Sequence, residues 1–305
     1  MKKLLLAIGL LMLFAAEILK VYFIMPFPGS QHNNTIGIAY FLHNNIIYIR
    51  ITAILLILYS ISGRWSRWRG WQKILFGLAA ACYLFIFVVC NYYMLADKMF
   101  YQPRIKNFAE GNGGKVDAKQ LVIGVAINGQ AKAYPIEIIG YHHQVKDTVG
   151  GTPVMVTYCT VCRTGRVYSP TVDNKYETFR LVGMDHFNAM FEDATTKSWW
   201  RQVTGEAIAG PLKGKMLDEI PSSQMSLQSW LQKYPSSFVL QPDSNFKKQY
   251  DDLKGFDNGT IKGSLEKRDS ASWQFKSWIV GVQVDGHSKA YDWNDLVAAR
   301  VINDS

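Results

Sequence analysis

Leu121-Val-Ile-Gly-Val-Ala-Ile-Asn-Gly-Gln-Ala-Lys-Ala-Tyr134 is the stretch that decides the fold of the larger, C-terminal part of the chain. Two apolar runs flank Asn128-Gly129, a pair that favours a two-residue β-hairpin because both central residues of a type I′ turn need positive φ. A short helix is expected next, over residues 136–139. The stretch therefore predicts a β-hairpin that leads into a helical turn.

A similar stretch stands near the end of the sequence, Trp278-Ile-Val-Gly-Val-Gln-Val-Asp-Gly-His-Ser-Lys-Ala-Tyr291. At a constant offset, seven residues of the first copy recur in the second: Gly124, Val125, Gly129, Lys132, Ala133, Tyr134 and Asp147 recur as Gly281, Val282, Gly286, Lys289, Ala290, Tyr291 and Asp304. Two copies are too few for a solenoid. They predict two related β-hairpin units, the second followed by a helix over residues 293–300, in one β-rich α+β domain.

The first unit leads into Val154-Met-Val-Thr-Tyr-Cys-Thr-Val-Cys-Arg-Thr-Gly165, where an apolar, β-branched run ends in two thiols. The run predicts a buried strand and the Arg-Thr-Gly exit predicts a turn, so Cys159 and Cys162 are expected where a strand opens into a loop. A CxxC pair is typical of a dithiol/disulfide couple, of half a metal site, or of two small packed side chains.

The two copies differ beside this motif, because His142-His143 of the first is replaced by Ala299-Arg300 in the second. We therefore expect His142 to approach the thiols. Cys159, Cys162 and His142 would form a three-ligand set for copper, as Cu(I), or for zinc. Three further side chains are candidates to complete that set, namely Met184, His186 and Asp193.

Two alternatives of other classes remain open, and the sequence does not decide whether the protein is an enzyme. One is a thiol-disulfide redox protein with Cys159 as the exposed nucleophile, although no helix is expected after Cys162 to stabilise a thiolate. The other is a non-catalytic binding or scaffold module with a structural disulfide. Because Trp199 and Trp200 are adjacent on one predicted strand, the second alternative expects one of these rings to line a cleft.

The first 96 residues predict three transmembrane helices, at about 4–24, 46–61 and 74–95, followed by a separate domain over 97–305. Glu17 and Lys20 interrupt the first span and are expected to pair on one helical face. Residues 4–16 also fit the core of a cleavable signal peptide, with cleavage after Ala16, but the apolar run continues beyond them and favours an uncleaved span. His32 and His43 are expected to be solvated in the loop between the first two spans.

The formal net charge of +9 is concentrated in the membrane region. Residues 1–96 hold eight Lys or Arg and one acidic residue, whereas residues 97–305 hold 25 basic and 23 acidic residues. The domain thus has no electrostatic footprint for nucleic acid, and the partner expected for the chain is the lipid bilayer. Because basic residues precede the first span and fill the loop between the second and third, whereas the loop between the first and second has no Lys or Arg, they predict an N-terminus inside and a domain outside,.

An ordered set of motifs across the domain resembles a bacterial family of unknown function, DUF3179. The set comprises Ala133-Tyr-Pro135, Tyr141-His142, Asp147-Thr-Val-Gly-Gly151, Val156-Thr-Tyr-Cys-Thr-Val-Cys162, Asn188-Ala-Met-Phe-Glu-Asp193, Ser198-Trp199, Gln202, Gly205, Gly210, Trp230 and Tyr234-Pro235. The resemblance covers about 121–304 and implies a bacterial protein. Together with the distribution of basic residues, it predicts a bacterial inner membrane location with the domain in the periplasm. The family usually has Cys-Pro-Leu-Cys where this chain has Cys159-Thr-Val-Cys162, and an acidic residue where it has His143. The resemblance implies no particular activity or cofactor.

Overall fold

The computed structural model describes residues 1–256, Trp273 and residues 279–303. The chain divides into two compact units, Met1–Asp257 and Asn258–Ser305. The first unit contains the three apolar helices and most of the β-structure, and within it the helices pack directly on a sheet of the domain. The division at residue 96 between a membrane region and an outer domain remains a prediction.

Three long apolar helices open the chain: α1 (Lys2–Tyr22), α2 (Ile36–Ile61) and α3 (Gly70–Val88), the last continued by a π-helical turn at Val89–Tyr93. All three are long and apolar enough to cross a membrane, as predicted. Helices α1 and α2 approach closely at Gly9, where a Cβ atom would lie 2.8 Å from Ile57 Cγ1 and 2.9 Å from the Ala53 carbonyl oxygen. A small residue at such a contact is typical of helix packing in membranes.

Helix α2 begins at Ile36 rather than near residue 46. Its first turns pack on the domain, where the Tyr40 ring lies edge-on to Trp199 with ring centroids 5.1 Å apart. The expectation that His43 is a solvated loop residue is wrong, because it lies on α2 with its Nε2 atom 3.0 Å from Arg180 Nη2. A stretch that the sequence reads as a loop is thus helical, and one of its faces packs on the domain.

After these helices the chain alternates short strands and short helices. In chain order they are α4 (Ala96–Met99), β1 (Phe108–Glu110), β2 (Leu121–Ile127), β3 (Gln130–Pro135), α5 (Ile136–His142), β4 (Gln144–Val149), β5 (Thr152–Cys159), β6 (Thr164–Tyr168), β7 (Thr171–Val172), β8 (Lys175–Tyr176), β9 (Phe179–Asp185), β10 (Asn188–Asp193), β11 (Trp199–Arg201), β12 (Ala207–Ala209), β13 (Ser223–Ser226), α6 (Leu227–Lys233), β14 (Phe238–Leu240) and α7 (Lys247–Asp251). Single 3₁₀ turns lie at Trp65–Arg67 and Ser244–Phe246. The prediction of three apolar helices followed by a β-rich α+β domain is confirmed.

The first predicted hairpin lies in a five-stranded sheet of order β1-β14-β3-β2-β13. Asn128 and Gly129 have φ of 48° and 78°, as a type I′ turn requires,. Helix α6 covers this sheet, and the Trp230 ring occupies the space above Gly124, where a Cβ atom would lie 2.3 Å from the ring. Ser226 caps α6 by accepting a hydrogen bond from the Ser229 N–H.

A four-stranded sheet of order β12-β11-β10-β9 packs against the ends of the helices. Trp199 and Trp200 are adjacent on β11, and both are buried. The expectation that one of them lines a cleft is therefore wrong. The physical reason is that both faces of this sheet are covered, one ring meeting Tyr40 and His43 of α2 and the other meeting Phe179.

A three-stranded sheet of order β4-β5-β6 carries the two thiols. Strand β5 is buried from Val154 to Cys159 and pairs antiparallel with both neighbours. Strands β7 and β8 form a separate two-stranded ribbon. Cys159, Met155 and Tyr168 belong to one apolar core with residues of α1 and of the four-stranded sheet, which fixes the thiol hairpin against the rest of the unit.

The second unit contains the strands β15 (Ile279–Val284) and β16 (His287–Asp292) and the helix α8 (Trp293–Ala299). The turn between the strands is formed by Asp285 and Gly286, with φ of 48° and 80°. The two remaining positions of the proposed repeat, Trp278 and Asp304, lie outside the described residues. The relation between the two hairpins remains a prediction from their sequences.

Candidate functional site

The two thiols lie at the turn between β5 and β6. Cys159 is the last residue of β5 and pairs with Thr164, the first residue of β6. The four residues between them reverse the chain, and Arg163 adopts a left-handed conformation with φ of 50°. Cys159 is buried and Cys162 is exposed. The exposed member of the pair is therefore Cys162, which is the reverse of the expectation from the sequence.

Both sulfurs face one backbone oxygen. The Cys159 Sγ atom lies 3.7 Å and the Cys162 Sγ atom 3.4 Å from the carbonyl oxygen of Phe187. Both cysteines are free thiols. The Asn188 side-chain amide donates to Cys162 Sγ at 3.3 Å. An acceptor and a donor thus position the exposed sulfur beside its buried partner.

The carbonyl oxygen belongs to a strained turn between β9 and β10. His186 and Phe187 have φ of 49° and 62°, a conformation that costs energy for residues other than glycine,. Two successive residues with positive φ form the tight turn that Asn-Gly pairs usually make. Because this arrangement aims the Phe187 oxygen at the thiols, the strain is located at the site itself.

The connection between α1 and α2 holds the same turn from the other side. Gln31 is buried and accepts a hydrogen bond from the Phe187 N–H at 3.3 Å. The Phe187 ring lies edge-on to His32 with centroids 5.8 Å apart. The Met184 N–H donates to the Ile24 carbonyl at 2.7 Å. The thiol site is therefore tied to the segment that joins the first two membrane helices.

A buried polar network locks Asn188 in place. Gln202 donates to Thr157 Oγ1 and to the Thr164 carbonyl, each at 3.0 Å, and Asn188 donates to Gln202 Oε1 at 3.3 Å. The Val203 N–H donates to Asn188 Oδ1 at 3.0 Å. Because Thr157 and Thr164 flank the thiol turn, this network fixes the position of the Asn188 amide relative to Cys162.

The contact between the two thiols governs the acidity of the buried one. The hydrogen bond with the Cys162 thiol, followed by burial, raises the pKa of Cys159 well above its ordinary value,. Hydrogen bonds from the backbone N–H groups of Cys162 and Ala189 act in the opposite direction and lower that pKa by less. In the dithiol state Cys159 is consequently protonated.

His142 lies elsewhere, in an aromatic pocket. Its Nδ1 atom donates to the Tyr101 carbonyl oxygen, so its Nε2 atom accepts from the Tyr250 hydroxyl at 2.6 Å,. Burial lowers the pKa of His142 to about 4, and the same is true of His143. Both ring nitrogens of His142 are thus engaged in hydrogen bonds away from the sulfurs, contrary to the placement that the sequence suggested.

The other candidate ligands are also dispersed. Asp193 is buried and accepts from the Thr196 and Ser198 N–H groups and from Trp200 Nε1. His186 is exposed, and its Nδ1 atom lies 2.9 Å from Asp185 Oδ1. Met184 lies on β9. In the part of the chain that the structure describes, no three His, Cys, Asp or Glu side chains converge as ligands for one metal ion.

The structure adds Phe187, Asn188 and Gln202 to the site. Asn188 and Gln202 already belong to the motifs that carry the resemblance described above, but nothing in the sequence assigns them to the thiols. The role of Phe187 rests on its backbone oxygen, so its side-chain type gives no signal. The pairing of β9 with β10, which places this oxygen, is a product of the fold.

Comparisons with known proteins identify the family of the chain. Neither the curated proteins nor the solved structures contain a match to this chain. The model of the family described as "Protein of unknown function (DUF3179)" matches residues 100–305, which include the whole thiol site. This match covers more than half of the sequence, and the chain therefore belongs to the DUF3179 family.

Proposed function

We propose that the protein is a membrane-anchored thiol-disulfide exchange protein, in which Cys162 exchanges with a partner disulfide and Cys159 resolves the product. The observation that carries this proposal is the pair of thiols under the Phe187 carbonyl oxygen, one sulfur exposed and one buried. An exchange reaction needs one sulfur that a partner can reach and a second sulfur close behind it. Cys162 and Cys159 meet these two requirements in that order.

The proposed reaction proceeds in two steps. The Cys162 thiolate attacks one sulfur of the partner disulfide, forms a mixed disulfide and releases the other partner sulfur as a thiolate, which takes up a proton. The Cys159 thiolate then attacks Cys162 Sγ, and the remaining partner sulfur leaves and is protonated. The partner disulfide has gained two electrons and two protons, and these come from the two protein thiols. The reverse sequence oxidises a partner dithiol.

The electrostatics of the pair support this order of events. The hydrogen bond with the Cys162 thiol is the largest cause of the raised pKa of Cys159. This hydrogen bond raises the pKa because the Cys159 S–H donates to the Cys162 sulfur, which stabilises the protonated form of Cys159,. Once Cys162 is bound in a mixed disulfide, its sulfur carries no thiolate charge and is a weaker acceptor, while the backbone N–H donors to Cys159 remain. Cys159 therefore becomes a better nucleophile at the step at which it must attack.

Trapping of mixed disulfides tests the assignment of the two sulfurs. In a background of Cys82→Ser and Cys90→Ser, we expect the Cys159→Ser variant to accumulate mixed disulfides through Cys162. The Cys162→Ser variant should trap none, because Cys159 is buried. The measurement is gel electrophoresis without reductant after acid quenching and alkylation, followed by mass spectrometry of the linked peptides.

Two results would contradict the proposal. Equal trapping by both serine variants would show that burial does not distinguish the sulfurs. Failure of both variants to trap, with a reduction potential of the pair below about −300 mV, would indicate a structural disulfide in a non-catalytic module.

A metal ion bound by the two thiolates is the second candidate. The backbone N–H donors to Cys159 favour it, since they stabilise a thiolate ligand, and soft Cu(I) prefers sulfur ligands,. Zinc normally takes four ligands in a structural site, and those beyond the two sulfurs would have to come from a partner or solvent. Stoichiometric copper or zinc in the purified chain, lost in a Cys159→Ser/Cys162→Ser variant, would favour this candidate over exchange.

The orientation in the membrane is also part of the proposal. We propose that the N-terminus is cytoplasmic and that the thiols are on the outer side of a bacterial inner membrane. The support is the distribution of basic residues, which lie before α1 and between α2 and α3,. An oxidising outer compartment would suit a disulfide couple.

Reporter fusions test this orientation. A phosphatase that folds only after export should be active when it is fused after Ser305, and Cys162 should react in intact cells with a thiol reagent that does not cross membranes. A Cys82→Ser variant controls for labelling in the membrane region. Activity of a cytoplasm-specific reporter at the same position would reverse the orientation.

A further inference from the structure

A cavity of about 330 Å³ lies at the end of the helical region opposite to the thiol site. It is bounded by the start of α1, the end of α2, and the start of α3 with the loop before it. Its lining has two parts. Lys2, Lys3 and Arg64 contribute cationic side chains, and Leu10, Leu75 and neighbouring residues contribute an apolar surface.

The cationic part contains no carboxylate. None of the residues that line the cavity is acidic, and Glu17 is the one acidic residue among the first 96. The Lys2 ammonium donates to the Ser62 carbonyl at 3.0 Å and lies 4.9 Å from the centre of the Tyr59 ring. Lys2 is thus held between α1 and α2 by neutral groups, and no carboxylate in the part of the chain that the structure describes forms an ion pair with it.

Tryptophan rings complete the wall. Trp68 and Trp71 both line the cavity, and Trp71 is largely exposed. Trp68 packs against Trp65 and Phe76, with ring centroids 5.4 Å and 5.8 Å apart. Tryptophan is enriched where the headgroups of a membrane meet its hydrocarbon core. The cavity therefore spans the depth at which a phospholipid changes from phosphate to acyl chain.

We propose that this cavity binds one phospholipid with an anionic headgroup, independently of the thiol chemistry. The phosphate would lie among Lys2, Lys3 and Arg64, and an acyl chain would follow the apolar wall towards Leu10 and Leu75. A zwitterionic lipid brings its own ammonium group into the same cluster of cations, which weakens its binding. The three uncompensated cations thus select for net negative charge.

Native mass spectrometry of the full chain reconstituted with phosphatidylglycerol or phosphatidylethanolamine tests the proposal. The wild-type protein should retain one phosphatidylglycerol at a concentration at which phosphatidylethanolamine is lost. A Lys3→Gln/Arg64→Gln variant should bind phosphatidylglycerol about tenfold or more weakly. An Arg67→Gln/Lys73→Gln variant removes the same charge from residues outside the cavity lining and should bind it like the wild type.

Any of the following results would overturn the proposal: equal retention of the two lipids, equal loss of phosphatidylglycerol in the two double variants, or retention of phosphatidylglycerol that the Lys3→Gln/Arg64→Gln change does not alter. Glycerol 3-phosphate serves as the probe for free phosphate. It should not displace the lipid, because it lacks the acyl chains that the apolar wall binds. Displacement by glycerol 3-phosphate at comparable concentration would instead assign the cavity to a soluble phosphate ester.

Discussion

Replacing Glu17 by leucine is expected to lower the free energy of unfolding by about 3–5 kcal/mol, the largest effect of any single substitution considered for this protein. Glu17 lies on α1 with its side chain fully buried. Its Oε1 atom accepts from Arg50 Nε at 2.6 Å and its Oε2 atom from Arg50 Nη2 at 2.9 Å. The substitution would leave the Arg50 guanidinium inside the helical region without its carboxylate.

The residues around the Glu17–Arg50 ion pair increase the loss of stability expected from the Glu17→Leu substitution. Lys20 lies 3.8 Å from Glu17, as the sequence suggested, but the shorter and bidentate contact of Glu17 is with Arg50 of α2. Asn91, in the π-helical turn after α3, donates to Glu17 Oε2 and accepts from both Lys20 and Arg50. Without Glu17, two cations would face each other across one amide oxygen. Glu17 therefore joins all three apolar helices.

A double variant separates the loss of the pair from a general loss of packing. Glu17→Leu/Arg50→Leu removes both charges, and we expect it to recover most of the stability that Glu17→Leu loses. The measurement is unfolding of the full chain in mixed micelles with increasing dodecyl sulfate. If the double variant were as unstable as the single one, the carboxylate would not act through Arg50.

The elements that the sequence predicts well are those set by local chemistry. The Asn128-Gly129 turn forms because these two residues accept positive φ, and helix α6 begins directly after Ser226 because a serine oxygen can accept from the first helical turn,. The three apolar helices follow from length and hydropathy alone. The position of the thiols at the end of a buried strand follows from the apolar run before them.

The features that the sequence does not predict depend on contacts between distant residues. Helix α2 starts early because β11 packs on it, and both Trp199 and Trp200 are buried because their sheet has no free face. The strained turn at Phe187 uses a residue type that gives no signal for positive φ. His142 is close to the thiols in sequence, yet its imidazole is oriented by Tyr101 and Tyr250.

The second large effect concerns pH, and it arises from the two buried histidines at the end of α5. We expect the stability of the full chain to fall by about 2 kcal/mol for each histidine when the pH is lowered from 7.5 to 5. Burial lowers the pKa of both His142 and His143 from 6.5 to about 4. In the unfolded chain the same imidazoles regain their ordinary pKa and bind protons already below about pH 6.5.

The direction in which stability changes with pH follows from whether the folded or the unfolded chain binds more protons. Above about pH 6.5 both histidines are neutral in the folded and the unfolded chain, so they add no pH dependence. Between about pH 6.5 and 4 the unfolded chain is protonated at these positions and the folded chain is not, so stability decreases as the pH falls. Asp243 raises the pKa of His142 by less than burial lowers it, so its charge does not reverse this direction.

A His143→Asn variant isolates one of the two contributions. His143 has φ of 61°, and asparagine adopts this left-handed conformation more readily than most residues, so the backbone is preserved,. We expect the loss of stability between pH 7.5 and 5 to be roughly halved in this variant, measured as the shift in the midpoint of chemical denaturation. His32→Asn, a change at an exposed histidine, should leave the loss unchanged. If His143→Asn retained the full pH dependence, the proton uptake would have to occur at other groups, and the neutral state of His143 in the folded chain would contribute nothing to it.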